Sequence, residues 1–247
     1  MKIDVGTSGY GYKEWKGIFY PEKITAGEML PFYAERLHAV EINNTFYRMP
    51  TEPLLRSWAA QVPDNFVFVL KAPQVITHRK RLKNAERETA HFFEMVPALA
   101  GKAGPVLFQF PANFRADLTV LGHFSTLIPG DRLCAFEFRS PAPLDPGIVD
   151  LLREKRHCVV VSDTDERPAG EIVPTASWGY LRLRRSDYGE ADLNGWRERI
   201  GSQPWQRAFV FFKHEEKARG PEMAMRFQEL IRTAGGPEGM KRQPIEN

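Results

Sequence analysis

The chain has 247 residues, 43% hydrophobic and 26% charged, with a formal net charge of +3. That is the make-up of an ordinary globular protein, long enough for one large α/β domain or two small ones. No run approaches ~18 consecutive apolar residues, which leaves out a membrane-spanning helix, two cysteines are too few for a disulfide framework, and so mild a charge supplies no whole-molecule field for polyanions. The opening Met1-Lys2-Ile3-Asp4-Val5-Gly6 turns polar too quickly for a signal peptide, so the chain reads as cytoplasmic.

The first predicted strand runs from Asp4 to Gly9. The loop behind it is long and aromatic, with Tyr10, Tyr12, Trp15, Phe19 and Tyr20. Its glycines lack the Gly-x-Gly-x-x-Gly spacing of a dinucleotide fingerprint. Tyr10, Tyr12 and Trp15 could stack a sugar or base, or pack the loop on a rim. A helix is expected over Thr25–His38, where Met29, Phe32, Tyr33 and Leu37 share a face.

Val40 to Tyr47 alternates apolar Val40 and Ile42 with polar Glu41, Asn43 and Thr45, which predicts a second strand. Thr51 starts a helix through Trp58. Phe66–Lys71 is the third strand, nearly continuous in apolar residues as a doubly covered parallel strand should be. The basic run Arg79-Lys80-Arg81-Lys83 opens a helix ending near Leu99. Strand four is Pro105–Pro111, followed by a helix on Leu118, Leu121, Phe124, Leu127 and Ile128. Strand five is Leu133–Arg139, with a helix near Asp145–Arg156, and strand six is Cys158–Asp163. Glu166–Ser177 carries two prolines and no helical period, so helix six is short or missing. Trp178–Arg184 is strand seven, with a helix around Leu193–Ile200. Ala208–His214 is strand eight, and a last helix covers Pro221–Ala234. Gly235-Gly236-Pro237 ends it and the rest reads as a flexible tail, 235–247. Eight strands, nearly all followed by a helix and with no linker between them, predict a single (β/α)8 TIM-like barrel over 1–234.

Several blocks also resemble the YecE-like family, known as domain of unknown function 72 (DUF72). They are Gly6-Thr7-Ser8-Gly9-Tyr10, Trp15-Lys16-Gly17, Phe19-Tyr20-Pro21 and Val40 through Tyr47, followed by Ile76-Thr77-His78, Leu107 through Pro111, Glu137-Phe138-Arg139 and Ser162-Asp163. The resemblance covers roughly residues 4 to 232 and implies a TIM-like barrel; it implies no activity. Many members carry Arg-x-His-Gly after strand seven and Phe-Asn-Asn-Asp after strand eight. Here those places read Arg182-Leu183-Arg184-Arg185 and Phe212-Lys213-His214-Glu215.

Barrel strands alternate between lumen and helical layer. With the bulky apolar set outward, the inward set includes Glu41 and Asn43 on strand two, Lys71 on strand three, Gln109 on strand four, and Glu137 and Arg139 on strand five. Strand six contributes Val159, Val161 and Asp163, strand seven Tyr180, Arg182 and Arg184, and strand eight Phe211 and Lys213. Cys134 and Cys158 fall outward as reduced core residues. Most of the polar groups come late in their strands, at the C-terminal mouth where such barrels place active sites.

Five inward cations against three carboxylates is the wrong balance for a bare divalent metal. Arginines in a recess suit phosphate or carboxylate. Glu137 and Asp163 are candidate acid and base, and Lys71 or Lys213 a base or Schiff-base amine. Glu41, Asn43, His78, Gln109, Arg139, Arg182, Arg184 and Tyr10 are candidate substrate-binding residues. His38, His91, His123 and His157 read as ordinary residues in or beside helices. No His-x-His, His-Glu-x-x-His or Cys-x-x-Cys points to zinc, no Gly-x-Ser-x-Gly elbow occurs, and no cofactor is implied.

The leading expectation is a metal-independent enzyme, a hydrolase, lyase or isomerase acting on a small phosphorylated or carboxylated compound. Three alternatives stay open: a nucleic-acid-binding or endonuclease-like barrel, a ligand-sensing barrel without turnover, and a lumen whose charges form only an ion-pair network, Glu137 with Arg139 or Arg182 and Asp163 with Arg184.

Overall fold

The structure, a computed structural model, describes residues 1–140, 143–214 and 216–234. Nine strands form one sheet: β1 Lys2–Ser8, β2 Ala39–Ile42, β3 Val67–Lys71, β4 Ala103–Gln109, β5 Cys134–Glu137, β6 Cys158–Val159, β7 Val161–Asp163, β8 Trp178–Leu183 and β9 Arg207–Phe212. Their order is β6-β5-β4-β3-β2-β1-β9-β8-β7, and all the pairings are parallel. The first and last strands of that order are two halves of the predicted sixth strand, interrupted at Val160. One half pairs β5 and the other β8, so the ring is nearly closed at this split. The predicted barrel stands.

The helices are α1 Ala26–Ala34, α2 Asn44–Tyr47, α3 Glu52–Ala60, α4 Glu86–Met95, α5 Leu118–Ser125, α6 Pro146–Glu154, α7 Glu190–Gly201 and α8 Arg219–Ala234. Three of their starts carry a side-chain cap of the expected kind. The Glu28 carboxylate accepts from the Thr25 amide at 2.8 Å, Asp117 from the Val120 amide at 2.9 Å, and Asp145 from the Gly147 amide at 2.7 Å. Between β7 and β8 no helix forms, as the prolines there predict. Instead Thr175 returns to the split strand: its hydroxyl accepts from the Val159 amide at 3.0 Å and donates to the His157 carbonyl at 2.7 Å. The loop thus supplies polar partners that a neighbouring strand would otherwise provide. His157, beside this loop, is buried, and its pKa is pushed down to about 4 by burial and then by Lys155. The predicted tail, 235–247, lies outside the described residues.

Two separate apolar clusters confirm the alternation. Val40, Phe68, Phe108, Phe136, Leu181 and Val210 belong to the layer between sheet and helices. Ala39, Val69, Leu107, Ala135, Tyr180 and Phe211 belong to the lumen. Small residues on β2 and β5 leave room for the aromatic rings that β8 and β9 send inward.

The second strand is shorter than its alternation suggested. It ends at Ile42; Asn43 is already helical at φ −87° and ψ −19°, and α2 follows as one turn. Thr45 therefore does not alternate: its hydroxyl donates to the Lys71 carbonyl at 2.7 Å, securing the end of β3. Strand six is corrected in facing. Cys158 and Val160 sit in the lumen, while Val159 and Val161 pack on the outer layer, the reverse of the predicted parity. Cys134 is outward as expected.

Gly6 permits a close approach of β1 to β2, since an added Cβ would stand 1.8 Å from the Ala39 carbonyl oxygen. Gly6→Ala should cost about 1–3 kcal/mol, because backbone rather than a side-chain tip must give way. Urea unfolding checks this, and an unchanged midpoint would contradict it.

Candidate functional site

The centre of the site is Arg182, near the end of β8 and 2% exposed. Its two terminal nitrogens donate to different carboxylates, Nη2 to Glu41 Oε1 at 2.7 Å and Nη1 to Glu137 Oε2 at 2.6 Å. The acids lie 141 and 45 residues away in sequence; the lumen brings β2, β5 and β8 within reach of one guanidinium. Tyr180, two residues earlier on the same face, donates its hydroxyl to Glu41 Oε2 at 2.8 Å. Gln109 Nε2, at the end of β4, donates to Glu137 Oε2 at 2.7 Å. Glu137 Oε1 accepts more weakly from Arg139 Nε and Arg184 Nη2, both at 3.3 Å.

Burial opposes ionisation of Glu137, but Arg182, Arg184 and Arg139 outweigh it and hold its carboxyl well below the usual range. The same contest on Glu41 is won by Arg182, helped by the Tyr180 hydroxyl and Lys71. Both acids are therefore anions with their oxygens occupied. On Arg182 burial works against the charge, yet Glu137 and Glu41 push its pKa further up.

Around this clamp stands a rim of cations with less to bind. Lys71 ends β3, is 8% exposed, and holds Nζ 4.0 Å above the Phe46 ring. Among the described residues no carboxylate forms an ion pair with it. Burial, reinforced by Arg182, lowers its pKa from 10.5 to about 8 against the pull of Glu41 and Glu137. Arg184 is only 17% exposed at its side chain, and its Nη2 also donates to Ser162 Oγ at 2.8 Å. Arg139 is more open, its side chain 39% exposed. His78 packs edge-on against Phe46, with ring centroids 4.8 Å apart, and its Nδ1 lies 2.9 Å from the Thr77 hydroxyl. Burial, then Lys71 and Arg139, keep His78 below its ordinary pKa. Asn43 Nδ2 reaches Glu41 Oε1 at 3.4 Å. A cavity of about 950 Å³ opens on the Arg139 and Arg184 side of this rim, beside the loop that replaces helix six, lined also by Glu137, Ser162, Thr164 and Arg167.

A lysine whose pKa is lower folded than unfolded opposes folding below its folded pKa; the penalty fades as pH rises from about 8 towards 10.5. Lys71→Met should therefore stabilise the protein at pH 7 by about 1–3 kcal/mol, with the gain shrinking above pH 8. Chemical unfolding at pH 7 and pH 9.5 checks both halves, and a destabilised variant at pH 7 would contradict them.

Most of the predicted residues meet here: Glu41, Asn43, Lys71, His78, Gln109, Glu137, Arg139, Arg182 and Arg184. Asp163 does not. It points outward, accepting from the Tyr188 hydroxyl and the Ala169 amide, each at 2.8 Å, so its pairing with Glu137 has no geometry. Four consecutive apolar residues, Cys158 to Val161, carry no period-two signal, and the terminal aspartate fixed the wrong parity. Its neighbour Ser162 is the residue that faces the site. Tyr10 lies on an adjacent recess of about 250 Å³, shared with Tyr12, Asn43 and Trp58. Lys213 follows β9, its amide donating to the Leu183 carbonyl at 3.1 Å. Ser8, in register with Glu41, was missed; it is 1% exposed and its hydroxyl has no partner among the described residues. The even spacing of Asp4, Gly6 and Ser8 was the signal for it. Among the described residues no three His, Cys, Asp or Glu side chains gather as a metal-holding group, and no helix is long and apolar enough to cross a membrane.

Parallel strands in a nearly closed ring, with the ionised side chains at their C-terminal ends, define a TIM-barrel-like α/β protein. Within that class the chain belongs to the family described as "Protein of unknown function DUF72", whose model matches residues 4–245. It is 30% identical over 133 residues to the UPF0759 protein YecE of Escherichia coli K12, 53% of this chain and 48% of that one, so the match spans about half the relative's length. The UPF0759 protein YunF of Bacillus subtilis is 25% identical over 233 residues, covering 87% of this chain and 79% of its own. Among solved structures, a DUF72 family protein from Thermotoga maritima superposes with a TM-score of 0.83 at 24% identity, covering 94% of this chain and 100% of that one. One from Enterococcus faecalis gives 0.79 at 19% identity, covering 93% and 95%. Both likenesses are of fold.

Proposed function

We propose that the mouth of this barrel binds a small phosphorylated or carboxylated molecule and acts on it by acid/base chemistry of the hydrolase, lyase or isomerase kind. Arg139 and Arg184 take the anionic group, and Lys71 serves as the base or amine. One observation carries this reading: the rim cations Lys71, Arg139 and Arg184 have too few anions, because both lumen carboxylates are already engaged by Arg182. A network built only to neutralise itself would not leave a buried lysine unpaired. Glu137 then orients the two arginines, and its held anion makes it a poor proton donor near neutral pH. Asn43 and Gln109 brace the carboxylates.

Thermal unfolding against phosphate, sugar phosphates, dicarboxylates and short oligonucleotides tests the reading. A ligand present at ~100 times its dissociation constant adds about 2.7 kcal/mol, or on the order of 5–10 °C here. A shift with a small anion is expected. A shift with oligonucleotides alone, falling steeply with salt, would replace this reading with a nucleic-acid one.

A further inference from the structure

The lumen carboxylates nearest in charge to Lys71, Glu41 and Glu137, act on it only through space, because their oxygens are committed to other donors. Arg182 takes Glu41 Oε1 and Glu137 Oε2. The remaining oxygens go to Tyr180 on one side and to Arg139 and Arg184 on the other. What supports the Lys71 ammonium is the face of Phe46, a neutral ring that attracts the cation without holding its proton as a carboxylate would. The backbone of Lys71 is fixed at the end of β3, in register with Leu107 of β4, and the Phe46 ring receives its Nζ. A general base needs only a lone pair. A partly dehydrated amine within the field of Arg139, which shares Glu137 with Arg184, meets the stricter requirements of a nucleophile.

We infer, resting on the anion-site reading above, that Lys71 forms an imine with the carbonyl carbon of a small aldehyde or ketone carrying a phosphate or carboxylate, which Arg139 and Arg184 hold. In the first step the lone pair of neutral Nζ attacks the carbonyl carbon. The carbonyl π pair moves to oxygen, which takes up a proton, and Nζ loses one, leaving a carbinolamine. In the second step the hydroxyl is protonated, the C–O bond breaks, water leaves, and the nitrogen lone pair forms the C=N⁺ bond. Amine, carbonyl compound and one proton thus become iminium and water, with no oxidant or reductant. His78 is placed to carry the protons. It shares the Phe46 ring with Lys71, and Thr77 occupies its Nδ1, leaving Nε2 for the exchange. The low amine pKa keeps a usable fraction of Nζ neutral near neutral pH. Burial sets most of this fraction; of the charges facing the amine, Arg182 and Arg139 add to it and Glu41 and Glu137 oppose it.

The test is borohydride trapping with pyruvate, glyoxylate and glycolaldehyde phosphate as probes, read by intact mass and peptide mapping. One adduct per chain is expected with at least one probe, on the peptide containing Lys71. It should be absent in Lys71→Met and Lys71→Arg, the second of which keeps the cation. Adduct formation should fall at least tenfold in Arg139→Ala/Arg184→Ala, and the unfolding transition of each variant confirms that it is folded. Adducts spread over exposed lysines, or unchanged in Lys71→Arg, would overturn the inference. The non-carbonyl partners lactate and glycerol phosphate separate the two readings. If they raise the melting temperature through Arg139 and Arg184 while no probe is trapped, the anion site stands and the imine falls. If neither effect occurs, both fall.

Discussion

Arg182→Ala should cost about 3–5 kcal/mol of stability, because it strands two buried anions that share one cation. Glu41 is 0% exposed and Glu137 1%, so neither can turn to water for its lost partner. Glu137 would keep Gln109 and two long contacts to arginines; Glu41 would keep Tyr180 and the weak Asn43 contact. The loss also has a pH signature. In the wild type both carboxyls titrate lower folded than unfolded, so their contribution is present above the unfolded carboxylate range, near pH 4, and fades as pH falls through the folded values. Without Arg182, burial dominates Glu41 and raises its pKa, which reverses its sign: the variant loses stability as pH rises through the unfolded value. The gap between the two proteins should therefore widen from pH 4 to pH 7. Urea unfolding across that range measures it; a gap below about 1 kcal/mol, the level of an exposed ion pair, would show that Arg182 is not the clamp.

Arg139→Ala/Arg184→Ala should cost more in binding than in folding. Hydrogen bonds to charged groups contribute about 1.5–3 kcal/mol each, so losing two arginines weakens an anionic ligand by roughly two to four orders of magnitude. Stability should change far less than in Arg182→Ala, since Arg182 and Gln109 still hold Glu137 through the shorter contacts, 2.6 and 2.7 Å against 3.3 Å. Arg139→Lys/Arg184→Lys keeps the charge but loses the paired donors, and should recover only part of the affinity. Calorimetric titration of the anion that gives the largest thermal shift compares the three proteins. Equal affinity in all of them would place the ligand elsewhere.

The strands were legible where a charged or amide residue punctuates the apolar alternation. Glu41, Lys71, Gln109, Glu137 and Arg182 each fix the parity of their strand, and their common lateness located the mouth. Cys158 to Val161 has no such mark, and there the parity went astray and took Asp163 with it. Asn43 to Tyr47 misled in the opposite way: its polar–apolar spacing imitates a strand. The segment turns instead: Phe46 and Arg48 amides donate to the Asn43 and Asn44 carbonyls, and the Thr45 hydroxyl reaches both the Ile42 carbonyl and, across the sheet, that of Lys71. Of the pairing inside the lumen, Glu137 with Arg139 or Arg182 was expected and both contacts form, while the rest was out of reach. Sequence shows which charges point inward, but not that one arginine would hold both carboxylates and leave Lys71 with none. That follows from how far each strand end reaches across the ring.

The titration of Lys71 decides between a ligand site and a purely structural lumen. Nuclear magnetic resonance of lysine labelled at Cε can follow it, with the Lys71 signal assigned by its loss in Lys71→Arg. A titration near pH 8 is predicted for the free protein, moving upward when an anion fills the mouth, because a nearby negative charge favours the ammonium. A titration near the ordinary 10.5, unmoved by phosphate or dicarboxylates, would contradict the account and leave the lumen charges as a purely structural network.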